Sequence, residues 1–140
     1  MIAAGCTSIY RRAQAQCPPT QSEELALRLS EAQKAEQITK QAAEILRADL
    51  KGTNRASHCE TDFDRLEVAA FDLDRRVLTA RAMSERCSEP GAATAEIGRL
   101  GRQAQSWLEY VQKQRASDPA IRLAELEVLL LRPVKGSPSH

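Results

Sequence analysis

The sequence predicts an all-α fold, an elongated antiparallel bundle of three long helices plus a short fourth helix. Three observations carry that expectation. Hydrophobic residues make up 42% of the 140 residues but aromatics only 4%, and most of the apolar content is Ala and Leu, which suits packed helices better than sheets built on β-branched and aromatic residues. Apolar residues recur three and four apart over long stretches, the period of one helical face. The breaks between these stretches are short and rich in Pro, Gly and polar residues, and short connections favour antiparallel neighbours.

Residues 1–19 read as an extended lead-in or tether, because Cys17-Pro18-Pro19 imposes extended backbone and cannot sit in a helix interior. Thr20-Gln21-Ser22-Glu23 has the spacing of a capping box, so the first helix is expected to start there. Leu25, Leu29, Ala32, Ala35, Ile38, Ala42, Ile45 and Leu46 then trace its apolar face, and Gly52 supplies a C-terminal stop. A second capping box, Ser57-His58-Cys59-Glu60, opens the next helix. Its periodicity is the cleanest in the chain: Cys59, Phe63, Leu66, Ala70, Leu73, Val77, Ala80, Ser84 and Cys87 alternate in steps of four and three, a heptad seam.

Ser88-Glu89-Pro90-Gly91 ends that helix, and Ala92 to Arg115 forms a third on Ile97, Leu100, Ala104, Trp107 and Val111, widened by Leu108. Gly98 and Gly101 each cost about 1 kcal/mol of helix propensity against Ala, and close helix approach is their simplest reason. Ser117-Asp118-Pro119 is a helix start, a capping residue before a first-turn Pro. A short fourth helix follows over Ala120 to Arg132, although part of it also alternates like a strand. The bundle therefore spans 20–132, and residues 133–140, with Pro133, Gly136 and Pro138, are expected to be a disordered tail. Helices of about 30, 28 and 24 residues would extend roughly 45, 42 and 36 Å.

Twenty basic and nineteen acidic residues leave a net charge of +1, so no long-range field draws the chain to nucleic acid or an anionic surface. No apolar run approaches the roughly 20 residues of a transmembrane helix. With only His58 and His140 present, histidine-based catalysis has little to work with, and Asp62, Asp64, Glu67, Asp72 and Asp74 follow no ligand spacing. They are interleaved with Arg65, Arg75 and Arg76 and read as a salt-bridged surface. Glu36 with Lys40 and Asp72 with Arg76 sit at the i, i+4 spacing that supports a helix slightly. No enzyme, cofactor, metal or small-molecule substrate is expected.

The four cysteines, Cys6, Cys17, Cys59 and Cys87, lack metal or redox spacing. Cys59 lies on the apolar seam, which makes it a buried thiol. Cys17 precedes the first helix and Cys87 ends the second, so an up-down hairpin brings them to one end of the bundle, where a disulfide would close a loop of about 70 residues and stabilise by about 4 kcal/mol.

Ile2-Ala3-Ala4-Gly5-Cys6, followed by Thr7-Ser8, resembles the lipobox of bacterial outer-membrane lipoproteins. The resemblance implies that Cys6 is lipidated and begins the mature chain, held in the outer membrane and facing the periplasm, an oxidising compartment that suits a Cys17–Cys87 bridge. Small helical lipoproteins with a disulfide include the pilotins of secretion systems, similar to this chain in general layout only. The function expected is that of a non-enzymatic envelope lipoprotein that binds another envelope protein as an assembly factor or accessory subunit of a secretion, pilus or other envelope complex. Two alternatives stand beside it: a periplasmic inhibitor of a cell-wall-degrading enzyme, with the Lys51 to Ser57 loop as its plug, and a cytosolic coiled-coil adaptor. Trp107 belongs to the core, whereas Lys51, Asn54, Arg55 and Tyr110 are the candidate partner contacts, the last because it falls off the apolar stripe.

Overall fold

The computed structural model describes residues 19–52, 56–86 and 91–131. They form four helices packed on one another and no strand: α1 (Pro19–Lys51), α2 (Ala56–Ser84), α3 (Ala92–Gln114) and α4 (Pro119–Leu131), of 33, 29, 23 and 13 residues. The most extensive pairing is α1 with α2, then α2 with α3, and α4 lies against α1 and α3.

Both expected capping boxes are displaced by the observed helix starts. Thr20 is already helical in α1, which begins with Pro19, and Ser57 is already helical in α2. Pro suits a first helical turn, since the N–H it lacks has no partner there and its φ is preset. At the fourth helix the expected cap holds: Asp118 Oδ1 accepts a hydrogen bond from Ile121 N at 3.1 Å, and Pro119 opens α4. Gly91, which precedes α3, has φ 54° in the left-handed region, where a side chain would be strained.

The α2 seam is buried along its described length, from Cys59 through Phe63, Leu66, Ala70, Leu73, Val77 and Ala80 to Ser84. On α1 the expected face is corrected. Ile38 and Ile45 are 57% and 48% exposed, whereas Glu36, Thr39 and Ala43 are buried. The buried line through Ala32, Glu36, Thr39, Ala43 and Leu46 keeps the same alternation of four and three as α2, so the two seams mesh. Two polar residues are tolerated in it because each is hydrogen-bonded. Thr39 Oγ1 donates to Ala35 O at 2.7 Å and also reaches Ala69 O of α2 at 3.3 Å, a contact that requires close backbones. Small residues permit this approach: Ala32, Ala35, Ala43, Ala69 and Ala70 are all buried.

The larger core groups are Phe63, Leu66, Leu73, Leu100, Trp107, Val111 and Leu126; each buried aliphatic or aromatic side chain of this size contributes about 1.5–3 kcal/mol. Gly101 of α3 faces α2, where an added Cβ would lie 3.6 Å from Val77 Cγ1 and 2.8 Å from the Arg81 guanidinium, while at Gly98 it would meet only Arg102 of its own helix. Close approach thus accounts for Gly101 and not for Gly98.

Candidate functional site

Of the candidate residues named from sequence, Lys51 and Tyr110 lie among the described residues. Cys6, Cys17, Cys87, Asn54 and Arg55 lie outside the described residues. Lys51 is exposed at the end of α1, and its Nζ lies 3.2 Å from Glu127 of α4, which Arg47 Nε also reaches at 3.1 Å. Tyr110 is a correction: it is buried, its ring centroid lies 5.9 Å from that of Phe63, and its Oη donates to Arg122 O at 2.8 Å. The face expected on α3, Ile97, Leu100, Ala104, Trp107 and Val111, widens only as far as Leu108. Because α3 packs against both α2 and α4, it buries a wider arc that includes Leu108, Tyr110 and Gln114. Cys59 is buried and free, and burial, followed by the Asp49 carboxylate, pushes its thiol up from the ordinary range. That makes it a poor nucleophile.

Arg122 organises the junction of α2, α3 and α4, and the sequence reading missed it. It is a buried arginine on the most apolar helix of the fold. Its Nε donates to Gln114 O at 2.8 Å, its Nη2 donates to Arg115 O, and its Nη1 pairs with Glu60 at 2.8 Å. The last carbonyls of a helix lack internal partners and carry partial negative charge, so the guanidinium caps α3 while anchoring α4. Its carbon centre also lies 4.7 Å from the Phe63 centroid, and that of Arg115 lies 5.0 Å from it. Arg115 in turn reaches Asp64 at 3.1 Å and Glu67 at 2.8 Å.

A second polar cluster clamps α1 to α3. Arg99 donates to both oxygens of the buried Glu36 at 2.7 and 2.9 Å and from Nε to Glu96 at 2.7 Å, and Gln33 reaches Glu96 at 2.9 Å. The Arg99 hydrogen bond holds the Glu96 carboxyl below the usual range. The Glu36–Lys40 pair expected on the surface is thereby subordinate, with Lys40 at 3.8 Å from a carboxylate already engaged by Arg99. Between α1 and α2, Arg28, Glu31, Arg75, Arg76 and Thr79 line a shallow depression. Its guanidinia are matched by Glu24, Glu31 and Asp72 at 2.6 to 3.8 Å. These clusters hold helices together and present no reacting pair.

The chain shows no match to protein-family models, curated proteins or solved structures. Among the described residues no group of three or more His, Cys, Asp or Glu could hold a metal ion, and no helix is long and apolar enough to cross a membrane.

The outward faces of the helices carry apolar groups in order. On α4, Ile121, Val128 and Leu131 are 49%, 51% and 70% exposed, and with Ala124 they stand three, four and three apart. The opposite side of α4 docks through Arg122 and Leu126. A helix apolar on both faces is ordinarily a buried one, yet among the described residues this helix is packed on the side of Arg122 and Leu126 only.

Proposed function

We propose that this chain is a non-enzymatic, protein-binding lipoprotein of the bacterial envelope, an assembly factor or accessory subunit of a secretion, pilus or other envelope complex. The observation that carries the binding role is the exposed Ile121, Ala124, Val128, Leu131 stripe on α4, whose spacing suits the amphipathic helix of another protein. The layout in this reading is an elongated antiparallel bundle of three long helices with α4 laid across one end as the docking element. Support for opposite helix directions comes from contacts whose residue numbers run in opposite order, Glu31 with Arg76 and Thr39 with Ala69 for α1 and α2, and Glu67 with Arg115 and Asp74 with Gln105 for α2 and α3. The lipobox-like Ile2 to Cys6 supports the outer-membrane address, with Cys6 as the lipid anchor and a Cys17–Cys87 bridge in the periplasm.

The test is site-specific photo-crosslinking in the native host, with a photoreactive residue at Val128 and, as control, at the exposed polar Lys113. A discrete adduct with one other envelope protein from Val128 alone is the expected result. Equal adducts from both positions, or none from Val128, would reject the docking role. Loss of labelled fatty acid in Cys6→Ser tests the anchor separately.

A further inference from the structure

On α2, Val68, Phe71, Arg75 and Leu78 form a stripe spaced three, four and three. Val68 is 69% exposed and Phe71 and Leu78 are each 52% exposed. The flank of α2 that bears Ala69 and Arg76 meets α1, and the flank that bears Glu67 and Asp74 meets α3. The stripe lies between these flanks on the side away from the core, so neither neighbour covers it.

We infer that this face pairs with the same face of a second copy of the chain, in a two-fold antiparallel helix dimer. The spacing reads the same from either end. Reversing one copy therefore sets Val68 against Leu78 of the second copy and Phe71 against its Arg75. A guanidinium over a phenyl ring is attractive, and here the contact occurs twice by symmetry, as an isologous interface requires. The Arg75 side chain is 74% exposed and oriented by Asp72 at 2.6 Å. On the flank toward α3 the same register sets Glu67 against Arg81 of the second copy, two opposite-charge pairs. It also sets Asp72 and Asp74 each against their own equivalents. Asp72 is compensated by Arg75 and Arg76 of its own helix, and Asp74 accepts a hydrogen bond from Gln105.

The α4 stripe has the same spacing and fails the same comparison. Two-fold pairing there would set the exposed Glu125 against its equivalent, and the single cation in the described α4, Arg122, is buried on the opposite face. Self-pairing therefore belongs to α2, and its argument is independent of the α4 docking role.

Sedimentation equilibrium of the full chain over a concentration series tests the inference. A monomer–dimer equilibrium is the expected result. Phe71→Arg would oppose two arginines and weaken association about tenfold or more, and the exchange Phe71→Arg/Arg75→Phe would recreate the pairing and restore it. Both positions are exposed, so thermal unfolding by circular dichroism at concentrations low enough for both proteins to be monomeric should stay unchanged and separate lost association from lost folding. Val128→Asp should leave association intact. Monomer at every concentration, a dimer indifferent to Phe71→Arg, no recovery in the exchange variant, or a dimer dissolved by Val128→Asp would each overturn the inference.

Discussion

The guanidinium of Arg122 lies 4.7 Å from the centroid of Phe63 while donating to the carbonyl of Gln114 at 2.8 Å. One side chain thus joins the seam of α2, the last turn of α3 and the whole of α4. Arg122→Ala would take a donor from the carbonyls of Gln114 and Arg115, leaving Gln114 O its bond from Ser117 N at 3.1 Å, and would remove one of the two cations over the ring. A loss of about 2–4 kcal/mol in urea-denaturation stability is expected. Glu60→Gln, by contrast, should cost less than about 1 kcal/mol, because Glu60 is 57% exposed and water replaces its pair. Equal losses in the two variants would refute the capping role.

Tyr110 donates to the Arg122 carbonyl from a buried site, and burial pushes its phenol above the ordinary tyrosine value of 10.0. The native state therefore holds the phenolic proton at pH values where the unfolded chain has released it. The associated stability is complete below about pH 10 and declines as pH rises toward the native value. Chemical denaturation between neutral and strongly alkaline pH should show this decline, and Tyr110→Phe should flatten it while costing about 1 kcal/mol at neutral pH.

Acid acts through the α1–α3 clamp. Glu96 has its carboxyl held below the ordinary value of 4.5, first by the hydrogen bond from Arg99. Its contribution is present above that value and is lost as pH falls through it toward the lower native value. Denaturation midpoints measured across the acid range should fall less steeply for Glu96→Gln than for the parent chain.

The Glu36–Arg99 pair offers a sharper contrast. Arg99→Met leaves the Glu36 carboxylate, whose side chain is 4% exposed, without its bidentate partner. A cost of about 3 kcal/mol is expected, and Glu36→Met/Arg99→Met should recover most of it, because an apolar pair can replace a buried ion pair. A double variant as unstable as the single would mean that the clamp, rather than the isolated charge, dominates.

Substitutions on α1 distinguish the observed seam from the one expected. Ile38→Gln should change stability by less than about 0.5 kcal/mol, since Ile38 is largely exposed. Ala43→Leu should cost about 2 kcal/mol by overfilling a fully buried alanine site. Thermal or urea unfolding of the two proteins reads both, and the reverse order would return Ile38 to the core.

Much of this fold is legible in the sequence because its signals are local. The α2 seam, Trp107 in the core, Cys59 buried on the seam and the Asp118 cap can each be read from a window of a few residues. The α1 seam is less legible, because pattern reading favours Ile38 and Ile45 over Glu36 and Thr39. Glu36 becomes an inward residue only when Arg99, 63 positions away, supplies its hydrogen bonds. Tyr110 and Arg122 were hidden for the same reason, since their places depend on α4 folding back across the end of α3.

The sequence by itself determined that the chain is helical, where most breaks fall, and which line of α2 is inside, all consequences of periodicity and turn chemistry. Tertiary structure alone decided which polar residues are buried, that Tyr110 faces inward, and that the packing of the four described helices leaves apolar stripes of α2 and α4 exposed. The physical reason is partnership. Burial of a charge or a phenol is set by donors and acceptors that distant helices bring, and exposure of an apolar stripe is set by which neighbouring helix fails to reach it.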